Sequence, residues 1–220
     1  MNHVRIILVL SAWEPEIAPL RRRLARPPAP GLARTIVCRA VGVGAVDAAI
    51  GAARAIAEVN PAQVVFVGTA GSYPGASGAR PIGAVALPDE LVLCSTAALR
   101  GDGYLPGPLV QRVPAAPALL AALRDASPAI DGHGGAASPL AITQSATLAR
   151  RIARATGAAH ENLETFSVAR AAALADLPMA AVLGIANRVG PAAHTEWRRH
   201  HQAASKAACA VVWAWLRSEG

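Results

Sequence analysis

Three polar residues stand where an α/β protein often binds ligands. Glu16 follows a predicted strand at Val4–Leu10, Asn187 closes a predicted strand at Met179–Ala186, and Glu164 precedes a predicted helix. In open α/β sheets the ligand crevice lies beyond the carboxyl ends of the strands, so these side chains could converge there. A carboxylate can take up or release a proton, and a carboxamide can hydrogen-bond a ligand. Their joint position therefore predicts a polar site at one edge of a sheet.

Each of the three residues also has a purely structural explanation. Glu16 could be a solvated residue of a first helical turn, stabilised by the helix dipole. Glu164 could be a carboxylate at a helix N-terminus, and Asn187 could form a turn. Only the combination of the three favours a functional site.

Two glycine-rich segments follow predicted strands. In Gly42-Val43-Gly44 the third glycine of a dinucleotide-binding motif is missing because Asp47 stands there, so a tight strand-to-helix turn is favoured over a phosphate contact. In Gly68-Thr69-Ala70-Gly71 the small residues would let backbone amides and the Thr69 hydroxyl reach a ligand. A turn that binds no ligand would have the same composition.

The apolar pattern alternates between the periods of strands and helices. Strands are predicted at Val4–Leu10, Arg34–Val41, Gln63–Val67, Leu140–Thr143 and Met179–Ala186, with one or two more within Ile82–Leu93. Helices are predicted at Glu14–Leu24, Val46–Val59, Ala115–Ala126, Thr147–Thr156, Thr165–Leu174 and Glu196–Arg217, and loops at Ser72–Arg80, Gly101–Pro108 and Gly132–Gly135. This order predicts a mainly parallel sheet, and no repeat or linker divides residues 1–220, so we expect a single α/β domain.

Composition restricts the class of protein further. Apolar residues make up 53% and charged residues 16%, which is enough apolar material for a core and excludes a disordered chain. Cys38, Cys94 and Cys209 are too far apart for a disulfide framework or a zinc site, which favours a reducing, cytoplasmic location. We expect no signal peptide, and no apolar run approaches the roughly 18 residues of a membrane span.

The formal net charge is +7, which would suit nucleic acid, an anionic membrane surface or an acidic small substrate. The basic clusters, Arg21-Arg22-Arg23 and Arg198-Arg199-His200-His201, have no aromatic residues interleaved with the charges. Solvated helix faces are therefore favoured, and we expect neither a nucleic acid nor a membrane as partner.

Several segments together resemble the nucleoside phosphorylase and nucleosidase superfamily over nearly the whole chain. Ser11–Ile17 resembles the acidic segment after the first strand of methylthioadenosine/S-adenosylhomocysteine nucleosidases, and Gly42–Ala49 is similar to their glycine turn. Gly68–Gly71 is similar to their ribose-contacting loop, and Asn162-Leu163-Glu164 stands where they have a methionine-glutamate pair. The resemblance implies a three-layer α/β/α sandwich around a mixed, mainly parallel sheet, and cleavage of a purine nucleoside without metal or cofactor.

The resemblance also implies roles for individual residues. Glu16 would activate water, Glu164 would hold the ribose hydroxyls and Asn187 would stabilise the leaving base. Leu163 replaces a methionine of the nucleosidases but preserves an apolar wall. The other residues that the resemblance assigns to substrate binding are Thr69, Ala70, Gly71, Thr147 and Leu148.

Asn187 is the main departure, because nucleosidases that act on adenine nucleosides have an aspartate there. An amide donates hydrogen bonds without charge and so suits the acceptors O6 and N7 of hypoxanthine, which a carboxylate would repel. The run Ile185–Gly190, with Trp197 downstream, is similar to futalosine hydrolases, which release hypoxanthine and belong to menaquinone biosynthesis.

Three alternatives stay open: an adenine-nucleoside nucleosidase, a purine nucleoside phosphorylase, and a nucleoside-binding protein without turnover. The last helix carries Val211, Val212, Trp213 and Trp215 close together. Together with the resemblance, this predicts a homodimer or larger homo-oligomer, with core packing of that helix as the alternative.

Overall fold

The computed structural model describes residues 6–25, 34–127, 130 and 134–218. Its strands are β1 Ile6–Ser11, β2 Thr35–Ala40, β3 Gln63–Ser72, β4 Val85–Ala86, β5 Glu90–Cys94, β6 Arg112–Pro114, β7 Gly135–Pro139, β8 Ala158–Glu161 and β9 Met179–Arg188. Its helices are α1 Glu14–Leu24, α2 Ala45–Val59, α3 Thr96–Arg100, α4 Pro117–Asp125, α5 Ala146–Thr156, α6 Thr165–Leu174 and α7 Ala193–Ser218.

All of these strands belong to one mixed, mainly parallel sheet. Its order is β2-β1-β3-β8-β7-β5-β6, and β9 pairs with both β3 and β4. The pairs β1-β2, β1-β3, β3-β9, β5-β7 and β7-β8 are parallel, and β3-β8, β4-β9 and β5-β6 are antiparallel. The predicted mainly parallel sheet is thus confirmed.

Helices cover both faces of the sheet, which confirms the three-layer sandwich. Successive residues of β1 alternate between the faces: Ile7 and Val9 pack towards α1, α4 and α7, whereas Leu8 and Leu10 pack towards α2 and α6. Close approach requires small residues, since a Cβ at Gly184 of β9 would lie 2.1 Å from the carbonyl oxygen of Ala204 in α7.

One predicted strand is wrong, and the strands β6 and β8 and the short helix α3 are missing from the prediction. Leu140–Thr143 forms a loop in which Leu140 is 78% exposed and Ile142 is 54% exposed, whereas the strand at this place is β7, made of buried small residues and a proline. Strand β8 follows α5 and was not predicted. Residues such as Ala, Gly and Pro have low β propensity, so pairing with neighbouring strands overrides the local pattern. Gly132, within the predicted glycine-rich loop, lies outside the described residues.

The segment Gly68–Gly71 is part of β3 and not a turn after it. Strand β3 continues to Ser72, and its pairing with β9 shifts register between Ala70 and Gly71. Such a bulge redirects the end of a strand, and bulges often lie next to functional sites. Val4 and Arg5, the first two residues of the strand predicted at Val4–Leu10, lie outside the described residues.

The apolar residues of α7 pack in the core of the domain. Val211, Val212 and Trp215 are buried in the core between α7 and the sheet, and Trp213 is partly buried against it. They therefore do not indicate an oligomer, and a homodimer or larger assembly stays a prediction from the resemblance alone. Within the part of the chain that the structure describes, no helix has the length and apolarity to cross a membrane.

Candidate active site

A cavity of about 420 Å³ opens at the carboxyl ends of β1, β3 and β9. Its size is typical of a site for a small molecule. The residues predicted from the sequence that line it are Glu16, Thr69, Ala70, Gly71, Leu163, Glu164 and Asn187. The residues that sequence reasoning did not assign to it are Ala12, Trp13, Val43, Ile142, Glu161, Asn162, Ala193, His194 and Trp197.

Thr147 and Leu148 are not brought into this cavity. Both lie on α5, where Thr147 is exposed and Leu148 packs against the neighbouring apolar cluster. Their predicted contact with substrate has no counterpart among the residues that line the cavity.

Glu16 lies in the first turn of α1 and is only 7% exposed. Its Oε1 accepts hydrogen bonds from the backbone N–H of Thr69 at 3.0 Å and from the Thr69 hydroxyl at 2.6 Å. Its Oε2 accepts a hydrogen bond from the Ser11 hydroxyl at 3.2 Å. The ends of β1 and β3 thus fix both oxygens of this carboxylate.

The environment of Glu16 brings its pKa close to neutral pH. Burial raises its pKa from an ordinary value of 4.5 to about 7, the Thr69 hydroxyl bond opposes the rise, and the charge of Glu164 adds to it. A carboxyl group that titrates near neutral pH is suited to take a proton from a reactant and later return it.

Trp197 determines the direction of the hydrogen bonds around Glu16. Its Nε1–H donates to Thr69 Oγ1 at 3.1 Å. Because indole is a donor only, the Thr69 hydroxyl must accept this bond and turn its own proton towards Glu16. Oε1 of Glu16 then receives two donors, whereas Oε2 receives only the Ser11 hydroxyl. Oε2 is therefore the oxygen with a lone pair left for a reactant.

Asn162 positions the second predicted glutamate, Glu164. Its Oδ1 accepts hydrogen bonds from the backbone N–H groups of Glu164 at 3.0 Å and Thr165 at 2.9 Å, which caps the start of α6. Its Nδ2 donates to the carbonyl oxygen of Thr69 at 2.9 Å. One side chain thus joins α6 to β3. An asparagine three residues before the start of a helix is the sequence signal that could have revealed it.

The glycine turn before α2 holds the carboxylate of Glu164. The backbone N–H of Gly44, at φ +88°, donates to Glu164 Oε1 at 2.8 Å. Burial raises the pKa of Glu164, and the hydrogen bond from Gly44 opposes that rise. The turn therefore has a structural role, as predicted, and also presents a carboxylate to the cavity.

Asn187 lies near the end of β9, beside Gly71 of β3. It is 8% exposed, and its Nδ2 donates to the carbonyl oxygen of Arg188 at 3.1 Å. A second N–H and the amide oxygen are left for a ligand. A Cβ at Gly71 would lie 2.8 Å from Asn187 Nδ2, so a glycine is needed at this position for the amide to keep its place.

Aromatic rings form one wall of the cavity. The ring of Trp197 stacks on His201 with centroids 4.4 Å apart, and on His194 at 6.1 Å. Trp13 lies 6.3 Å from Trp197. Because only 4% of the residues are Phe, Trp or Tyr, their concentration here suits a ligand with a flat ring.

Glu161 is a third carboxylate in the cavity and was missed because β8 was missed. It is 7% exposed. Its Oε1 accepts a hydrogen bond from the backbone N–H of Thr143 at 3.0 Å, and its Oε2 accepts one from the Tyr73 hydroxyl at 2.8 Å. No local pattern in the four residues of β8, two alanines followed by His160 and Glu161, indicates a strand or this pairing.

Comparison with known proteins places the chain in a well-populated fold. The model of the phosphorylase superfamily matches residues 8–217. The structure of futalosine hydrolase from Helicobacter pylori strain 26695 is similar, with a TM-score of 0.86 and 16% identity over 98% of both chains. No curated protein sequence matches the chain.

Methylthioadenosine/S-adenosylhomocysteine nucleosidases have the same fold. The Helicobacter pylori enzyme gives a TM-score of 0.86 at 16% identity over 99% of this chain and 100% of the other. The Neisseria meningitidis enzyme gives 0.83 at 19% identity over 98% and 100%.

Proposed function

Because the chain belongs to the phosphorylase superfamily, we propose that it hydrolyses the N-glycosidic bond of a purine nucleoside, with Glu16 as the general base. The observation that carries this proposal is the state of Glu16. It is a buried carboxyl group in a ligand-sized cavity, with a pKa of about 7 and one oxygen open to a reactant.

Three polar residues of the site have a step to perform in this reaction. Oε2 of Glu16 takes a proton from water as the water oxygen bonds to C1′ of the ribose. Glu164 accepts hydrogen bonds from the ribose hydroxyls, and the C1′–N9 bond breaks through an oxocarbenium-like state. The bonding electrons leave with the purine, whose developing charge Asn187 stabilises by donating from its amide. The purine takes up a proton from solvent, and Glu16 then releases to solvent the proton that it took from water.

The charge of the cavity favours water over phosphate as the nucleophile. Three carboxyl groups, those of Glu16, Glu161 and Glu164, line the cavity, and the described residues of its wall include no arginine or lysine. An inorganic phosphate dianion would meet the like charges of these three groups. Hydrolysis therefore ranks above phosphorolysis, although the superfamily takes its name from the latter.

For the substrate we propose futalosine, which would be split into hypoxanthine and dehypoxanthinyl futalosine in menaquinone biosynthesis. Asn187 supports a 6-oxopurine because its uncharged amide can donate to O6 and N7. Trp13 and Trp197 offer ring faces to the aromatic 5′ substituent of this nucleoside. The structural neighbours include a futalosine hydrolase and also nucleosidases for adenine nucleosides, so the choice rests on these side chains.

The test is incubation with futalosine, inosine, adenosine and 5′-methylthioadenosine, with and without phosphate, followed by chromatography of the released base. We expect hypoxanthine from futalosine at a rate that phosphate does not change. Strict dependence on phosphate would make the protein a phosphorylase, and preferential release of adenine would overturn the assignment of the base. Tight nucleoside binding without any release of base would identify a binding protein.

A further inference from the structure

The first turns of α7 extend beyond the core that holds the rest of this helix. Ala204 is fully buried, and a Cβ at Gly184 of β9 would lie 2.1 Å from its carbonyl oxygen. Of residues 194–203, all of which the structure describes, none is buried. Yet this stretch carries His194 and Trp197, which line the cavity. The position of these two residues therefore depends on individual contacts and not on core packing.

Glu196 makes one of these contacts, with the end of β9. Its Oε2 accepts a hydrogen bond from the backbone N–H of Arg188 at 2.8 Å, and its Oε1 accepts one from the Arg188 guanidinium at 2.9 Å. The next backbone N–H, that of Val189, donates to the carbonyl oxygen of Ser72 in β3 at 2.9 Å. Successive N–H groups of an extended chain point to opposite edges. Glu196 therefore satisfies the N–H group that points away from β3.

This contact and the one at Ala204 have matching spacings on the two elements. From Gly184 to Arg188 the strand advances about 13 Å. From Ala204 back to Glu196 the helix advances about 12 Å. The helix thus runs along β9 in the opposite direction, and the two contacts together fix its position there. Glu196 is the contact at the end that lies beside the cavity.

The two hydrogen bonds of Glu196 differ in how well they define a position. The Arg188 side chain is 71% exposed and flexible, so water weakens its ion pair. The Arg188 backbone N–H is held in place by the sheet. Burial alone would raise the pKa of Glu196, but both bonds from Arg188 outweigh burial and hold this pKa below its ordinary value of 4.5. The carboxylate is therefore an ionised acceptor at neutral pH.

Trp197 follows Glu196 directly and donates to the Thr69 hydroxyl, which donates to Glu16. We propose that Glu196 is a positioning residue that holds the start of α7 against the end of β9. Trp197 then stays within hydrogen-bonding distance of Thr69, and the Thr69 hydroxyl stays directed at Glu16. This inference rests on the proposed function, in which Glu16 is the general base.

The kinetic test compares Glu196→Ala, which removes the acceptor, with Glu196→Gln, whose amide oxygen can still accept from the Arg188 backbone. In Glu196→Ala kcat/KM should fall by roughly tenfold to 100-fold. Its acidic limb should move to higher pH, because the Thr69 hydroxyl bond that lowers the pKa of Glu16 is weakened. Glu196→Gln should restore both properties. Arg188→Ala is the matched control, since it removes only the exposed guanidinium, and it should retain both.

A second measurement does not depend on turnover. It follows by NMR the exchange of the Trp197 indole N–H with D2O, and the signal is identified by its absence in Trp197→Phe. Exchange should be at least roughly tenfold faster in Glu196→Ala than in wild type, because the hydrogen bond to Thr69 opens more often. It should be unchanged in Glu196→Gln and in Arg188→Ala.

Equal indole exchange in wild type and Glu196→Ala would overturn the proposal, whatever the substrate is. A loss of kcat/KM in Glu196→Gln or Arg188→Ala as large as in Glu196→Ala would overturn it as well. A residue that acts through Trp197 has no further effect once the indole is gone, so a larger shift of the acidic limb in the double variant than in Trp197→Phe would also reject it. Failure of the proposed function is distinct: wild type would release no base, while indole exchange would still report on Glu196.

Discussion

Replacing Glu16 by glutamine should make the protein more stable at alkaline pH while it removes catalysis. The rise in the pKa of Glu16 from 4.5 to about 7 means that the folded protein holds this proton more tightly than the unfolded chain. The stability that this proton provides is complete below about pH 4.5 and is lost as the pH rises through about 7. At about 1.4 kcal/mol for each tenfold change in proton affinity, the ionised carboxylate costs the folded state about 3 kcal/mol.

Glutamine should fit the site because its hydrogen bonds can be kept. Its Oε1 can accept both bonds from Thr69, and its Nε2 can donate to the Ser11 hydroxyl, which can itself donate to the carbonyl oxygen of Trp13. The variant lacks an ionisable group at this position, so its free energy of unfolding should exceed that of wild type at about pH 8 and match it at about pH 4. Without the base, kcat should fall by roughly 10²–10⁴-fold while KM changes little.

The assay combines urea denaturation at several pH values with single-turnover kinetics. Glu14→Gln is the matched control, since Glu14 lies in the same turn of α1 but is exposed and pairs with Arg21 at 2.9 Å. It should retain both turnover and the pH dependence of stability. The reasoning is refuted if Glu16→Gln has the same stability relative to wild type at all pH values, or if it turns over substrate at the wild-type rate.

Three further substitutions test other parts of the site. Asn187→Asp should shift relative kcat/KM from hypoxanthine towards adenine nucleosides by roughly tenfold or more, and a wild type that already prefers adenine contradicts this. Gly71→Ala places a Cβ 2.8 Å from Asn187 Nδ2, so kcat/KM should fall by up to roughly 100-fold, and an unchanged value rejects the close contact. Trp197→Phe removes the donor that orients the Thr69 hydroxyl. The hydrogen bond from that hydroxyl lowers the pKa of Glu16, so weakening it should raise this pKa and move the acidic limb of the kcat/KM profile to higher pH. Trp13→Phe is its control and should leave that limb in place.

The sequence predicts the first half of the fold better than the second. The predicted helix at Glu14–Leu24 matches α1 to the residue, because strands and helices there have clear apolar periods. In the second half, β7 and β8 consist of Ala, Gly, Ser, Pro, His and Glu, which local rules assign to loops. Their strand structure comes from pairing with β5 and β3, and this tertiary effect is invisible in a local pattern.

The residues of the candidate site also differ in whether a local sequence pattern or only the tertiary pairing of strands determines their position. Glu16 and Asn187 are polar residues that end clear apolar patterns, and Glu164 stands before a predicted helix, so sequence reasoning can place the three at one sheet edge. Glu161 could not be placed at the cavity, because its position there depends on β8 lying next to Gly71. The apolar pattern predicts a strand at Ile142, whereas its side chain is exposed at the cavity.

The distribution of charge explains why net charge is a poor guide to the ligand of this protein. The chain carries a formal charge of +7, yet the three ionisable acids of the cavity wall are glutamates. Each meets a different set of donors: Thr69 and Ser11 for Glu16, Gly44 for Glu164, and Tyr73 with Thr143 for Glu161. Three buried carboxyl groups in one cavity cannot all ionise without mutual repulsion, and for Glu16 the charge of Glu164 adds to the effect of burial. Ribose hydroxyls and water can each donate a hydrogen bond to one of these carboxyl groups, whereas a phosphate ion placed between them would add to the repulsion.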